Sequence, residues 1–288
     1  MARAPYTLKL PGARTTSVVF SSPHSGRAYP PEFLSASVLD ERLIRSSEDA
    51  YVDELFGAAP DFGAPLLAAT APRAFVDLNR AAEELDPALV EGVAKSAHNP
   101  RICSGLGVIP RVVANGRVIY RGKIARADAE ARIAQHWRPY HAALRGLVEG
   151  SLAGFGEAIL IDCHSMPHEA IEQVCPAGAR RPDVVLGDRF GAAAAGEIVE
   201  RIEAAFAGAG LRVARNSPFA GAYIAQAYGR PSRSCHVVQV EIDRALYMDE
   251  ATVRPKPGFE AFRAVMTSVV AELAAIGRRG EALPLAAE

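Results

Sequence analysis

Two histidines stand directly behind apolar, strand-like runs: His24 in "SVVFSSPHSG" and His164 in "EAILIDCHSMP". In an open α/β sheet, ligands gather where loops leave the carboxyl ends of strands, so both imidazoles are placed to face one crevice. Imidazole is a common ligand of zinc, and a catalytic zinc site takes three protein ligands while leaving a position for water. A carboxylate would complete the set, and "SSEDAYVDEL" offers Glu48, Asp49 and Asp53. The same acids also suit the first turn of a helix capped by Ser46 or Ser47, where they would only offset the helix dipole. The segment "APRAFVDLNR" adds Arg73, Asn79 and Arg80. A guanidinium fork matches a planar carboxylate, which points to a small anionic ligand, although surface ion pairs are the plainer use of such arginines. In "HVVQVEID", Glu241 shares a strand face with Gln239 and Asp243. A partly desolvated carboxylate beside a metal can act as general base; the alternative is the solvated face of an edge strand. Asp162 either orients His164 or caps a loop.

Elements that position these groups are legible in the periodicity. Strand-type runs fall at 17–20, 64–70, 74–78, 157–162, 183–187 and 236–243, and helical spacing at 48–59, 126–149, 190–208 and 258–277. Their alternation predicts an α/β sheet flanked by helices. Between 105 and 122, β-rich arms surround Asn115-Gly116, a favoured pair for a type I′ turn, which predicts a hairpin projecting from the sheet. The 288 residues, with 49% hydrophobic content and no linker-like segment, fit a single domain spanning 1–288 with frayed ends at 1–6 and 279–288. A net charge of -1 provides no general field for nucleic acid or anionic membrane, so anion recognition falls to a few placed arginines. No apolar run is long enough to span a bilayer, the N-terminus lacks a signal-peptide pattern, and the cysteines are scattered without a C-x-x-C pair. These features fit a cytoplasmic protein.

In order along the chain, "SPHSG", "EDAYVDELF", "VDLNR", "IDCHSMP", "GDRFG", "NSPFAGAYI" and "VQVEIDRALYM" resemble the N-formylglutamate amidohydrolase family over residues 17–270. That family is related to zinc carboxypeptidases and aspartoacylases, so the resemblance implies a mixed twisted sheet of about eight strands wrapped by helices. It further implies one zinc ion held by His24, Asp49 and His164. Glu48 stays open as the carboxylate ligand because the stretch lacks the D-x-D form of many relatives. By the same resemblance, Asn79 and Arg80 hold the substrate α-carboxylate, Arg73 supports the oxyanion, and Glu241 is the general acid/base. Arg233 or Arg244 would take the side-chain carboxylate. The implied reaction is hydrolysis of N-formyl-L-glutamate to formate and L-glutamate, as in the last step of histidine degradation. Two alternatives stand beside it: a zinc hydrolase for another N-acyl amino acid or a peptide C-terminus, and a non-catalytic metal or anion-binding protein of the same fold.

Overall fold

Short apolar segments rich in Val, Ile and Leu pair into a seven-stranded mixed sheet in the order β1-β3-β2-β4-β7-β5-β6. The strands are β1 (Tyr6–Lys9), β2 (Val18–Ser22), β3 (Leu66–Ala69), β4 (Ala158–Met166), β5 (Val184–Gly187), β6 (Val213–Arg215) and β7 (Cys235–Asp243). The computed structural model describes residues 4–94, 99–172 and 180–278. β3, β2, β4 and β7 run parallel, whereas β1 and β5 pair antiparallel with β3 and β7. A two-stranded ribbon, Met248–Asp249 with Arg254–Pro255, stands apart from the sheet. The α/β class with helices on both faces is as expected, with seven strands in the main sheet rather than eight.

Side chains alternate across the sheet, so each central strand supplies two cores. Val18, Phe20, Ile159, Ile161, Cys163, Val238, Val240 and Ile242 pack on the helices Gly196–Gly208 and Phe259–Ile276. On the other face, Val19, Leu67, Ala158, Leu160 and Val237 meet Tyr140, Leu144 and Val148 of the helix Arg138–Phe155. This second face then changes character toward the carboxyl ends of its strands. Asp162 and His164 on β4 lie opposite Gln239 and Glu241 on β7, and all four are buried. Buried polar groups need internal partners, so a polar half-face under an apolar one marks a site.

Several expected elements take other forms. Residues 74–78 are not a strand: Phe75 N–H donates to Pro72 O and Asp77 N–H to Val108 O, and the apolar side chains are buried in the second core as a folded loop. The expected helix 48–59 shrinks to Val52–Leu55, because Glu48 is extended and Tyr51 adopts φ 67°. The helix predicted over 190–208 begins only at Gly196, and that over 126–149 continues to Phe155 through a π-helical turn at Ile133–Trp137. The Asn115-Gly116 turn forms, with φ 59° and 67°, yet its arms share a single bridge, Val112 to Val118. Instead of projecting, they bury Val108, Ile109, Val113 and Ile119 in the second core. Residues 4–6 are tied rather than frayed, since Thr70 donates from N–H to Pro5 O and from Oγ1 to Ala4 O. The expected fraying at 1–3 and 279–288, like Cys175, lies outside the described residues. Among the described residues, Cys103, Cys163 and Cys235 are free, and no helix is long and apolar enough to cross a membrane.

Gly26, two residues past His24, shows how tightly this region is packed: a Cβ there would meet the carbonyl of Ala71 far inside van der Waals contact. Gly26→Ala is expected to destabilise the protein by about 2 kcal/mol or more, the scale of overpacking at a site that cannot relax. Gly146→Ala, on an exposed helical position with nothing within 4 Å of the new methyl, should instead stabilise it by about 0.5–1 kcal/mol. Urea denaturation of both variants checks the contrast.

Candidate metal centre and active site

His24, Asp49 and His164 converge in the interior, each offering a ligand atom within 4.8 Å of the other two. Three separate elements deliver them. His24 follows β2, His164 sits inside β4 rather than behind it, and Asp49 lies on the extended segment whose N–H donates to His24 O at 3.1 Å. That backbone bond, not a helix dipole, places the Asp49 carboxylate. His24 Nε2 faces Asp77 Oδ1 at 2.7 Å, while its buried Nδ1 has no hydrogen-bond partner and lies 3.4 Å from Asp49 Oδ2. His164 Nε2 faces Asp162 Oδ2 at 3.1 Å, and its Nδ1 faces Asp49 Oδ2 at 2.9 Å.

Asp77 places the His24 proton on Nε2, whereas His164 Nε2 faces both an acceptor, Asp162 Oδ2, and a donor, Asn79 Nδ2 at 3.0 Å. With both Nε2 atoms protonated, both Nδ1 lone pairs point at one carboxylate oxygen. Lone pairs facing a carboxylate repel, so the arrangement requires positive charge between them. Protons supply it in the absence of metal: burial opposes charge on His164, but Asp162 and Asp49 outweigh it and raise the imidazole well above its ordinary range. A divalent cation supplies it better, and an imidazole that hands its other nitrogen to a carboxylate is the usual support for a metal ligand. Two imidazoles and one carboxylate fit zinc. Burial pushes the Asp49 carboxyl up, yet the two histidines hold it well below the usual range. Glu48 turns elsewhere, accepting from Tyr29 Oη at 2.5 Å and from Arg45 Nε and Nη2 at 3.0 Å each. Between the two acids left open by the sequence, Asp49 faces the histidines and Glu48 does not.

A cavity of about 580 Å³ opens over this centre and takes Arg73, Arg80, Glu241 and Arg244 into its lining. Glu241 is buried on β7, an interior strand rather than an edge, and accepts from Gln239 Nε2 at 2.7 Å. Burial, with Asp49 nearby, raises its carboxyl to about 7 despite the opposing pull of His164, Arg73 and Arg244. Arg73 is half-buried and donates from Nε to Asp77 Oδ2 at 3.1 Å. Asp162 orients His164, as one of its two sequence readings has it.

The other expected site residues have partners or positions that the sequence did not show. The Asn79 amide is occupied inside the protein: Nδ2 lies 3.2 Å from Asp162 Oδ2, and Oδ1 accepts from Ile224 N–H at 2.7 Å. Arg244 donates from Nη2 to Asp49 Oδ1 at 2.9 Å and from Nε to Ser165 Oγ at 3.2 Å, so it braces the metal centre. Arg233 is exposed in the turn before β7, at the end of that strand opposite Glu241, and is not part of the cavity wall. Its spacing from Glu241 in the sequence hid the length of the intervening strand. Arg101, on the short helix Pro100–Cys103, does line the cavity. No motif surrounds it, and only the tertiary fold reveals it.

The segment carrying Asp77, Asn79 and Arg80 is fixed from outside. His141 Nε2 lies 2.8 Å from Leu78 O, and Trp137 Nε1 donates to Arg80 O at 2.9 Å. The two rings touch in a tilted pair, with centroids 4.0 Å apart and planes at 34°. Burial lowers His141 to about 4, which keeps it neutral.

The family model described as N-formylglutamate amidohydrolase matches residues 16–248. The chain belongs to this family. It is 31% identical over 266 residues to the N-formylglutamate deformylase of Pseudomonas aeruginosa, covering 91% of this chain and 94% of that protein. The N-formylglutamate deformylase of Pseudomonas putida is 29% identical over 240 residues, covering 81% and 82%. The crystal structure of N-formylglutamate amidohydrolase from Ralstonia eutropha JMP134 superposes with a TM-score of 0.90 at 37% identity, covering 96% of this chain and 100% of that one. Membership in the family makes the chain an amidohydrolase by kinship, and His24, His164 and Glu241 line one cavity in it.

Because the folded state raises the Glu241 carboxyl from 4.5 to about 7, ionising it costs stability, and that cost grows as pH rises between those values. Metal-free Glu241→Gln is therefore expected to be more stable than the metal-free wild type at pH 8, by about 1–3 kcal/mol. The difference should close toward pH 5. Urea titrations of both proteins at the two pH values check the sign.

Proposed function

We propose that the protein hydrolyses the formyl amide of N-formyl-L-glutamate to formate and L-glutamate, with a divalent ion held by His24, Asp49 and His164. The observation that carries this reading is the convergence of His24 Nδ1, which has no hydrogen-bond partner, and His164 Nδ1 on one Asp49 oxygen, with Glu241 lining the same cavity as both histidines. Kinship to deformylases along nearly the whole chain supplies the substrate. The last step of histidine degradation is the proposed setting.

An amide carbonyl is a weak electrophile and neutral water a weak nucleophile. When bound, zinc would polarise the carbonyl and bring the pKa of water down to about 7. The Glu241 carboxylate accepts the water proton as the water oxygen bonds to the formyl carbon. Negative charge then collects on the carbonyl oxygen, where the Arg73 guanidinium, oriented through Nε by Asp77, meets it. Glu241 returns the proton to the amine nitrogen as the carbon–nitrogen bond breaks, so one group serves both transfers. Arg80 holds the α-carboxylate and fixes the formyl group toward the centre. The Asn79 amide contributes by fastening His164 and Ile224 rather than by touching substrate.

Metal analysis and turnover of two variants test this together. Glu241→Gln should retain zinc while hydrolysis of N-formyl-L-glutamate falls by about 10²–10⁴-fold. His24→Ala should lose the metal. Wild-type turnover in Glu241→Gln, or undiminished zinc in His24→Ala, would remove the proposal. Rates for N-formyl-L-glutamate should also exceed those for N-formyl-L-aspartate and N-acetyl-L-glutamate, measured side by side on zinc-loaded protein.

A further inference from the structure

The charges around the cavity do not all find internal partners. Asp49 accepts from Arg244 at 2.9 Å, and Asp77 accepts from Arg73 at 3.1 Å. These two arginines therefore neutralise the acids of the metal centre. Arg80 and Arg101 line the same cavity and, among the described residues, neither has a carboxylate within ion-pair distance. Arg80 is 6% exposed; Asp77 acts on it without forming an ion pair, and a desolvated guanidinium with no direct ionic partner is costly. Its Nε and Nη1 bond only to backbone carbonyls, those of Leu106 and Asn79, both at 2.9 Å.

The two guanidinium groups belong to one wall. Leu106 accepts from Arg80 Nε through its carbonyl and donates its N–H to Arg101 O at 2.8 Å, so one residue links the two arginines. Their charges act on each other: burial lowers Arg80, Asp77 and Glu84 oppose it, and Arg73 and then Arg101 add to the lowering. The strand of loop between them is itself held, since Arg111 bonds Asp86 at 2.9 Å beneath it. Arg80 lies deep and Arg101 is exposed at the mouth. A dicarboxylate would satisfy both, whereas a monocarboxylate leaves one unmatched.

We infer that Arg101 is the specificity-determining residue for the substrate's second carboxylate, with Arg80 on the α-carboxylate, so that the site selects dicarboxylic N-formyl amino acids. This rests on the function proposed above and replaces Arg233 and Arg244 in that role. Like charges placed side by side repel when the cavity is empty, and a bound dianion turns that repulsion into attraction at both ends. The guanidinium fork also favours a flat carboxylate over the neutral amide of the same length.

The test compares N-formyl-L-glutamate with N-formyl-L-glutamine on zinc-loaded wild type, Arg101→Gln and Arg101→Lys. For Arg101→Gln, kcat/KM on the glutamate substrate should fall by about 10- to 100-fold, mostly through KM, the scale of one charge-assisted hydrogen bond. The preference for glutamate over glutamine should shrink by a similar factor, and Arg101→Lys should restore part of it. Glutarate gives a readout that needs no turnover: it should raise the melting temperature of wild type more than butyrate does, and Arg101→Gln should erase that difference. Equal losses on both substrates, or an unchanged preference, would overturn the assignment while leaving the deformylase reading intact. A wild type that fails to cleave N-formyl-L-glutamate overturns both.

Discussion

The parallel register of β4 against β7, with His164 opposite Glu241 and Asp162 opposite Gln239, is the constraint on which the site and the core both depend. Side chains alternate with a period of two, so a slip of one residue would exchange these polar groups for Ile161, Cys163, Val238 and Val240. The same slip would push carboxylates into the layer packed on the helices Gly196–Gly208 and Phe259–Ile276. Register is therefore enforced twice, by burial of aliphatic side chains on one face and by pairing of polar ones on the other. The chemistry inherits its geometry from the hydrophobic effect, which is indifferent to it.

A second constraint is electrostatic. Asp49, Asp77, Asp162 and Glu241 are buried within one region, and carboxylates in a poorly solvated interior raise each other's energy. The fold answers with guanidinium groups and imidazoles: Arg244 on Asp49, Arg73 on Asp77, His24 between Asp49 and Asp77, and His164 between Asp49 and Asp162. Asp162 Oδ1 remains buried without a hydrogen-bond partner, so the compensation is incomplete. An interior built this way is held in place by mutual charge. Truncating a single partner exposes the cost of all the others.

Much of this was readable from residue order, and the failures have physical causes. His24, His164 and Glu241 were found because strand ends in α/β sheets collect functional groups and because Glu241 interrupts an aliphatic run at even spacing. Asp49 could be narrowed only to a short acidic stretch, since the deciding contact is a backbone bond to His24, distant in sequence. The apolar residues 74–78 looked like a strand because loops buried under a helix carry the same side chains as strands. β1 and β6 were missed, being short, partly exposed segments with weak alternation. Arginines were the least legible: type marks an anion site, but the Arg244 bond to Asp49, the place of Arg233 at the far end of β7 and that of Arg101 in the cavity wall depend on strand length and loop path.

Trp137 is the only tryptophan in the chain, and its indole N–H is bound to the carbonyl of Arg80. Indole emission responds to hydrogen bonding and to nearby charge, so the protein carries a built-in optical reporter on the backbone of a cavity-lining arginine. No second indole dilutes its signal. Occupancy of the cavity can thus be followed as a spectral change in the native protein, without a label and without a coupled assay.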